Sequence, residues 1–149
     1  MAQAFRDAIS ADWLAAATLV PVPPSKAKTD PLYDDRLVRM LRGIPAPRPL
    51  DIRELIVQLQ SMDAAHDADV RPTPDDIAAG YHVDERLTQP APSTIAIFDD
   101  VMTTGAHYVA ARQVLAALFP QATIFGFFIA RRVPETTDFS VFFDNLDDE

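Results

Sequence analysis

The chain contains no cysteine. That absence removes disulfides, a thiol nucleophile and every Cys-ligated zinc site, and it fits a reducing compartment. Positive charge is also scarce: 13 Lys and Arg stand against 22 Asp and Glu, for a formal net charge of -9. Such an excess repels nucleic-acid backbones and anionic membrane surfaces, so neither is an expected partner, although a local basic pocket is compatible with it. No apolar run is long enough to span a bilayer, and the stretch Met1 to Asp12 carries Arg6, Asp7 and Asp12 where a secretion signal needs an uninterrupted apolar core. The expectation is a soluble, cytoplasmic protein. Internal repeats and low-complexity tracts are absent too, and 149 residues with a 48% hydrophobic fraction suit a single domain over residues 1–149.

What is present alternates between helical and strand patterns. Phe5, Ala8, Ile9, Trp13 and Leu14 follow a helical period, and Thr18 to Val22 is an apolar, β-branched strand stopped by Pro23 and Pro24. Residues 23–33 combine proline with Ser25, Lys26, Lys28 and Asp30, which predicts an exposed loop. A helix from Asp34 to about Arg42 ends at Gly43, and a second is expected to open at Asp51 with Ile52, Leu55, Ile56 and Leu59 on one face, fading near Met62. The stretch Asp63 to Gln89 is polar and irregular. Within it Thr73 reads as an N-cap, with Pro74 starting a short helix through Ala79, and Tyr81 to Val83 as a short strand. Thr94 to Phe98, Tyr108 to Leu118 and Ile124 to Ala130 then give strand, helix, strand. This order predicts an α/β, Rossmann-like parallel sheet flanked by helices, with ligands at the carboxyl ends of the strands. The acidic end, Asp144 to Glu149, is expected to fray.

Two strands end in unusual chemistry. Ile95 to Phe98 runs into Asp99 and Asp100, followed by Val101, Met102, Thr103, Thr104, Gly105, Ala106 and His107. The small residues Thr103 to Gly105 let backbone N–H groups approach a phosphate, and the helix behind them adds roughly half a positive charge. The two aspartates would repel that anion, so the pairing makes sense if they accept from a sugar diol or act through hydrated Mg²⁺. The alternative is structural: Asp100 caps the helix and Thr-Thr-Gly turns the chain. The other strand, ending at Val22, runs into the lysine-bearing loop and should face the same crevice.

Residues 95–106 resemble the signature of type I phosphoribosyltransferases: a hydrophobic strand, two acidic residues, two variable residues and Thr-Thr-Gly-Ala. The resemblance implies that Asp99 and Asp100, the catalytic pair, hold the ribose hydroxyls of phosphoribosyl pyrophosphate, and that Met102, Thr103, Thr104, Gly105, Ala106 and His107 cradle its 5′-phosphate. His107 departs from the family, which has threonine or serine there; histidine can still donate to phosphate, with a pH dependence near neutrality. Leu19 to Lys26, reading Leu-Val-Pro-Val-Pro-Pro-Ser-Lys, is similar to the Val-Pro-Val-Pro element of the ComF-like branch. There the loop, here Pro24, Ser25 and Lys26, receives the pyrophosphate, helped by a cis or strained peptide that turns N–H groups inward. Mg²⁺ is the implied cofactor, held mainly by the substrate. Implied, too, is transfer of the phosphoribosyl group to an unidentified nitrogen acceptor with release of pyrophosphate. A non-catalytic module that senses phosphoribosyl pyrophosphate or a nucleotide is the alternative, and a catalytically empty interaction subunit a third; a homo-oligomer or protein partner is compatible with each.

The resemblance covers roughly residues 18–130 and lacks the cysteine-rich zinc element of full ComF proteins. Other charged residues read both ways. Lys26 is a pyrophosphate ligand or a loop charge, Lys28 a solvated loop charge rather than a second counter-charge for pyrophosphate, and Arg36 a surface partner of Asp34 or Asp35 rather than a pyrophosphate contact. Asp34 to Arg36 and Tyr81 to Val83 match ComF-like segments only loosely. Arg71 stays open, His66 reads as part of a solvated loop, and His82 says little. Phe125, Phe127 and Phe128 read as strand core. Arg131 and Arg132 either meet a base or phosphate or pair with the acidic tail.

Overall fold

Apolar strands buried on both faces organise the molecule. The computed structural model describes residues 7–61 and 72–132. Strands β1 (Thr18–Pro21), β2 (Asp51–Ile52), β5 (Thr94–Met102) and β6 (Thr123–Arg131) form one parallel sheet in the order β2-β1-β5-β6. β3 (Ile56–Gln58) and β4 (Tyr81–Val83) make a separate antiparallel pair. Helices α1 (Ala11–Ala16), α2 (Arg36–Arg42), α3 (Pro74–Gly80) and α4 (Ala106–Leu118) flank them, with a short 3-10 helix at Glu85–Leu87.

Successive residues on a strand point to opposite faces, and the two central strands feed two cores that way. Leu19, Ala96 and Phe98 pack with Leu14 and Ala17 near α1 and with Leu41 of α2. Val20, Ile95 and Ile97 pack on the other face with Leu55, Ile56 and the α4 residues Ala111 and Leu115. Pro21 can occupy a central strand because β2 has already ended beside it. Its missing N–H falls on the β2 side, where Arg53 N–H donates to the Leu19 carbonyl one step earlier, while Val22 N–H serves Phe98 on the β5 side. Gly126 answers a different need: a Cβ there would lie 2.5 Å from the Tyr108 ring, so only glycine lets α4 sit this close to β6.

The short α3 helix starts as the sequence indicates. Thr73 caps it, with a reciprocal bond from the Thr73 N–H to Asp76, and Pro74 follows. Three expectations need correction. The helix expected from Asp51 is replaced by β2, three residues of irregular chain and β3, because long-range partners fix the backbone: Thr18 Oγ1 donates to Asp51 at 2.7 Å, and Arg53 bonds Asp51 and the carbonyls of Leu87 and Pro90. β5 does not stop at Phe98 but runs to Met102, sustained by pairing with β6. The third concerns β6, which lies at the edge of the sheet. There Phe127 stacks on Phe98 at 5.1 Å, whereas Phe125, with Trp13 across its edge, is 41% exposed. The expected end of the Asp51 helix near Met62, and the readings of Phe5, His66, Arg71 and the tail from Asp144, lie outside the described residues. Among the described residues no helix is long and apolar enough to cross a membrane.

Candidate functional site

The crevice opens where β1 stops. β1 ends at Pro21 opposite Phe98, whereas β5 continues for four more residues with β6 as its partner. The chain leaves β1 through α2 on one face and leaves β5 through α4 on the other, so the order reverses between β1 and β5. Open parallel sheets bind ligands at such a switch point. A cleft of about 390 Å³ lies there, bordered by the 23–28 loop, the start of α2, the β3 strand and the Asp99–Asp100 pair.

Strand alternation splits the two aspartates. Asp99, in step with Ile95 and Ile97, faces the α4 side, and Asp100, in step with Ala96 and Phe98, faces the α2 side. Asp100 accordingly lies 3.7 Å from Arg36 Nη2, while Arg36 Nε holds Asp34 at 3.0 Å. The Asp100 N–H donates back to Asp99 Oδ1 at 2.8 Å, which ties the pair together. Burial raises the pKa of Asp99 above its ordinary value, the neighbouring Asp100 charge pushes the same way, and the Asp100 N–H and His107 pull against them. Across from Asp99, the Tyr81 hydroxyl and His107 Nδ1 are hydrogen-bonded at 3.1 Å. Burial, then the Asp99 charge, holds the Tyr81 proton more tightly than usual.

The opposite wall carries Pro24, Ser25, Lys26 and Lys28. Lys28 is exposed, as expected of a loop charge, and its Nζ pairs with Glu54 at 2.8 Å. Glu54 also accepts from the Tyr33 hydroxyl at 3.3 Å, and burial with the Glu54 charge pushes Tyr33 up to about 12. The loop is braced by Ser61, which accepts from Ala27 N–H at 3.1 Å and donates to Asp30. The expected cis or strained peptide is not in this loop: the cis bond of the described residues is Gln89–Pro90, and their positive φ is at Gly105, 76°. Proline supplies the stiffness here instead.

No family model, curated protein or solved structure matches the chain. The geometry therefore carries the functional argument. Of the residues singled out in sequence, Asp99, Asp100, His107, Pro24, Ser25 and Lys26 come together on the cleft. Met102, Thr103, Thr104, Gly105 and Ala106 do not line it. They form the turn into α4, with Thr103 and Thr104 exposed and Ala106 N–H donating to Thr104 Oγ1 at 3.4 Å. Gly105 is the N-cap without a side-chain bond, so Asp100 does not cap this helix; its Oδ1 accepts from Val101 N–H instead. With Ala106 N–H taken by Thr104 and Val109 N–H by the Gly105 carbonyl, the N–H groups of His107 and Tyr108 are the ones at the α4 start left for an anion. Arg131 and Arg132 are exposed and lie past the cleft. Sequence reasoning missed Tyr33, Glu54 and Gln58 on the cleft wall, and none of them belongs to a motif.

Electrostatically the cleft is more acidic than basic. Asp34, Asp35, Glu54, Asp99 and Asp100 line it against Lys26, Lys28 and Arg36. A bare polyanion is poorly matched to that wall; one accompanied by a divalent cation fits it. Among the described residues no group of three or more His, Asp or Glu side chains could hold a metal alone.

Proposed function

We propose that the chain is a cytoplasmic phosphoribosyltransferase of type I that binds phosphoribosyl pyrophosphate with Mg²⁺ and transfers the phosphoribosyl group to a nitrogen acceptor. The observation that carries this reading is that Asp99 and Asp100 lie at the switch point, on a cleft shared with the 24–28 loop and with His107 in the first turn of α4. One ligand class meets all three: a diol for the carboxylates, a phosphate for the helix start and a second phosphate group for the loop. Mg²⁺, bound chiefly through phosphate oxygens, would neutralise charge on the leaving group.

Within that reading the protein's own residues position and stabilise. Asp99 and Asp100 accept from the ribose hydroxyls and hold the ring, the α4 start and His107 fix the 5′-phosphate, and Lys26 with the proline-stiffened loop stabilises pyrophosphate as it leaves. The anomeric C–O bond breaks, the N–C bond forms, and the acceptor nitrogen loses a proton. No side chain has to become a covalent nucleophile.

Isothermal titration of the protein with phosphoribosyl pyrophosphate, with and without Mg²⁺, tests the reading. Tight binding only with Mg²⁺ is expected. In Asp99→Asn with Asp100→Asn affinity should fall about 100-fold or more, since charge-assisted bonds to both hydroxyls are lost. Unchanged affinity in that variant would overturn the site. Pyrophosphate release across a panel of nitrogen heterocycles separates a transferase from a sensor, which would bind without turnover.

A further inference from the structure

Gln58 is one of the cleft residues that the proposed reaction leaves unused. It ends β3, is 5% exposed, and lines the cleft. Its Oε1 is, among the described residues, the buried side-chain polar atom without a hydrogen-bond partner. Buried polar atoms in native proteins are nearly always paired, so each exception calls for an explanation. Pairing with Tyr81 in the β3–β4 ladder fixes the backbone of Gln58, and its amide lies against bare backbone, where a Cβ on Gly80 would sit 3.8 Å from Nε2. The amide is packed against Gly80, and its Oε1 is left unsatisfied.

An amide oxygen only accepts, which narrows what can complete it. Ionised phosphate and pyrophosphate groups are themselves acceptors, and the ribose hydroxyls are already matched to Asp99 and Asp100. The component left over is the nitrogen acceptor. Its attacking nitrogen must keep a lone pair, so the donor to Gln58 is a different N–H on the same molecule. Ile56 and Val57 beside Gln58, with the Tyr33 ring on the cleft wall, suit a flat, largely apolar body. We propose that Gln58 reads the acceptor, its Oε1 receiving a hydrogen bond from an N–H of an uncharged planar nitrogen heterocycle. This rests on the reading above for the donor substrate, and the test separates the two.

The probes are heterocycle pairs that differ by one donor: adenine and purine, hypoxanthine and 1-methylhypoxanthine, uracil and 3-methyluracil. Binding of each is measured by calorimetry on the full chain, the Gln58→Leu variant and the Gln58→Glu variant, which retains an acceptor oxygen. In the wild type, the donor-bearing member of at least one pair should bind roughly tenfold tighter or more, because a site built around a hydrogen bond rejects the analogue that lacks it. Gln58→Leu should erase that preference, Gln58→Glu should restore part of it, and affinity for phosphoribosyl pyrophosphate with Mg²⁺ should not change. The melting temperature of Gln58→Leu should equal or exceed that of the wild type, since an unpaired buried acceptor is replaced by an apolar group of similar size. No donor preference in the wild type, a preference that survives in Gln58→Leu, or a clearly lower melting temperature in that variant would overturn the proposal. Failure of phosphoribosyl pyrophosphate to bind would instead remove the donor assignment, with the heterocycle arm still deciding the role of Gln58.

Discussion

The two ends of the same parallel sheet treat their polar groups in opposite ways. At the amino end of β1 and β2, Asp51 receives bonds from Thr18 Oγ1 and Arg53 Nε, and Arg53, 12% exposed, spends its Nη1 on the carbonyls of Leu87 and Pro90. At the carboxyl end of β5, Asp99 is pressed against Asp100 and Tyr81, and Gln58 keeps a buried oxygen without a partner among the described residues. The first end is closed by its own hydrogen bonds. The second is left incomplete, as a site is when a ligand finishes it.

Removing Arg53 is the largest way to break the contrast. Arg53→Ala strands Asp51 and two carbonyls, and should cost about 2–4 kcal/mol in urea unfolding. Binding at the cleft should survive in the folded fraction, because Arg53 does not line it. A small loss would mean that the amino end is not closed by this residue.

The Asp51→Asn variant sharpens the comparison through pH. Burial alone would raise the Asp51 pKa, but the bonds from Arg53 and Thr18 outweigh it and bring it below 3.8. A lowered folded pKa means that the stabilisation is present above the unfolded value and is lost as pH falls through the folded one. Asp51→Asn should therefore destabilise at neutral pH, by less than about 1 kcal/mol because solvent screens this partly exposed carboxylate, and the cost should vanish in acid. For Asp99 the sign is reversed. Its raised folded pKa favours the folded state at low pH and works against it as pH climbs from the unfolded through the folded value. Stability profiles of the two Asn variants against wild type should thus diverge from it in opposite directions.

The same contrast shows what a sequence can express. The Ile95 to Ala106 run was legible because continuous apolarity, paired carboxylates and a Thr-Thr-Gly turn are local signals, and the Thr73 cap with Pro74 was legible for the same reason. β2 and β3 were not, since the bonds that replace a helix there reach 33 to 37 positions along the chain. The length of β5 was hidden too, because pairing with β6 rather than its own composition carries it through Met102. Gln58 left no trace: a lone glutamine acquires meaning only when β3 pairs with β4 and buries it. The cleft could be located from its two loops, but its far wall could not.

The smallest effect on stability gives the most direct test. Thermal unfolding of the wild type and of Asp99→Asn is followed with and without phosphoribosyl pyrophosphate and Mg²⁺. If the carboxyl end holds an unfavourable charge for a ligand, free Asp99→Asn melts at the wild-type temperature or up to a few degrees above it, a gain of about 1 kcal/mol at most. The ligand should then raise the melting temperature of the wild type clearly more than that of the variant. A free variant that melts well below the wild type, or one that the ligand stabilises as much, would contradict the assignment of Asp99 to a binding site.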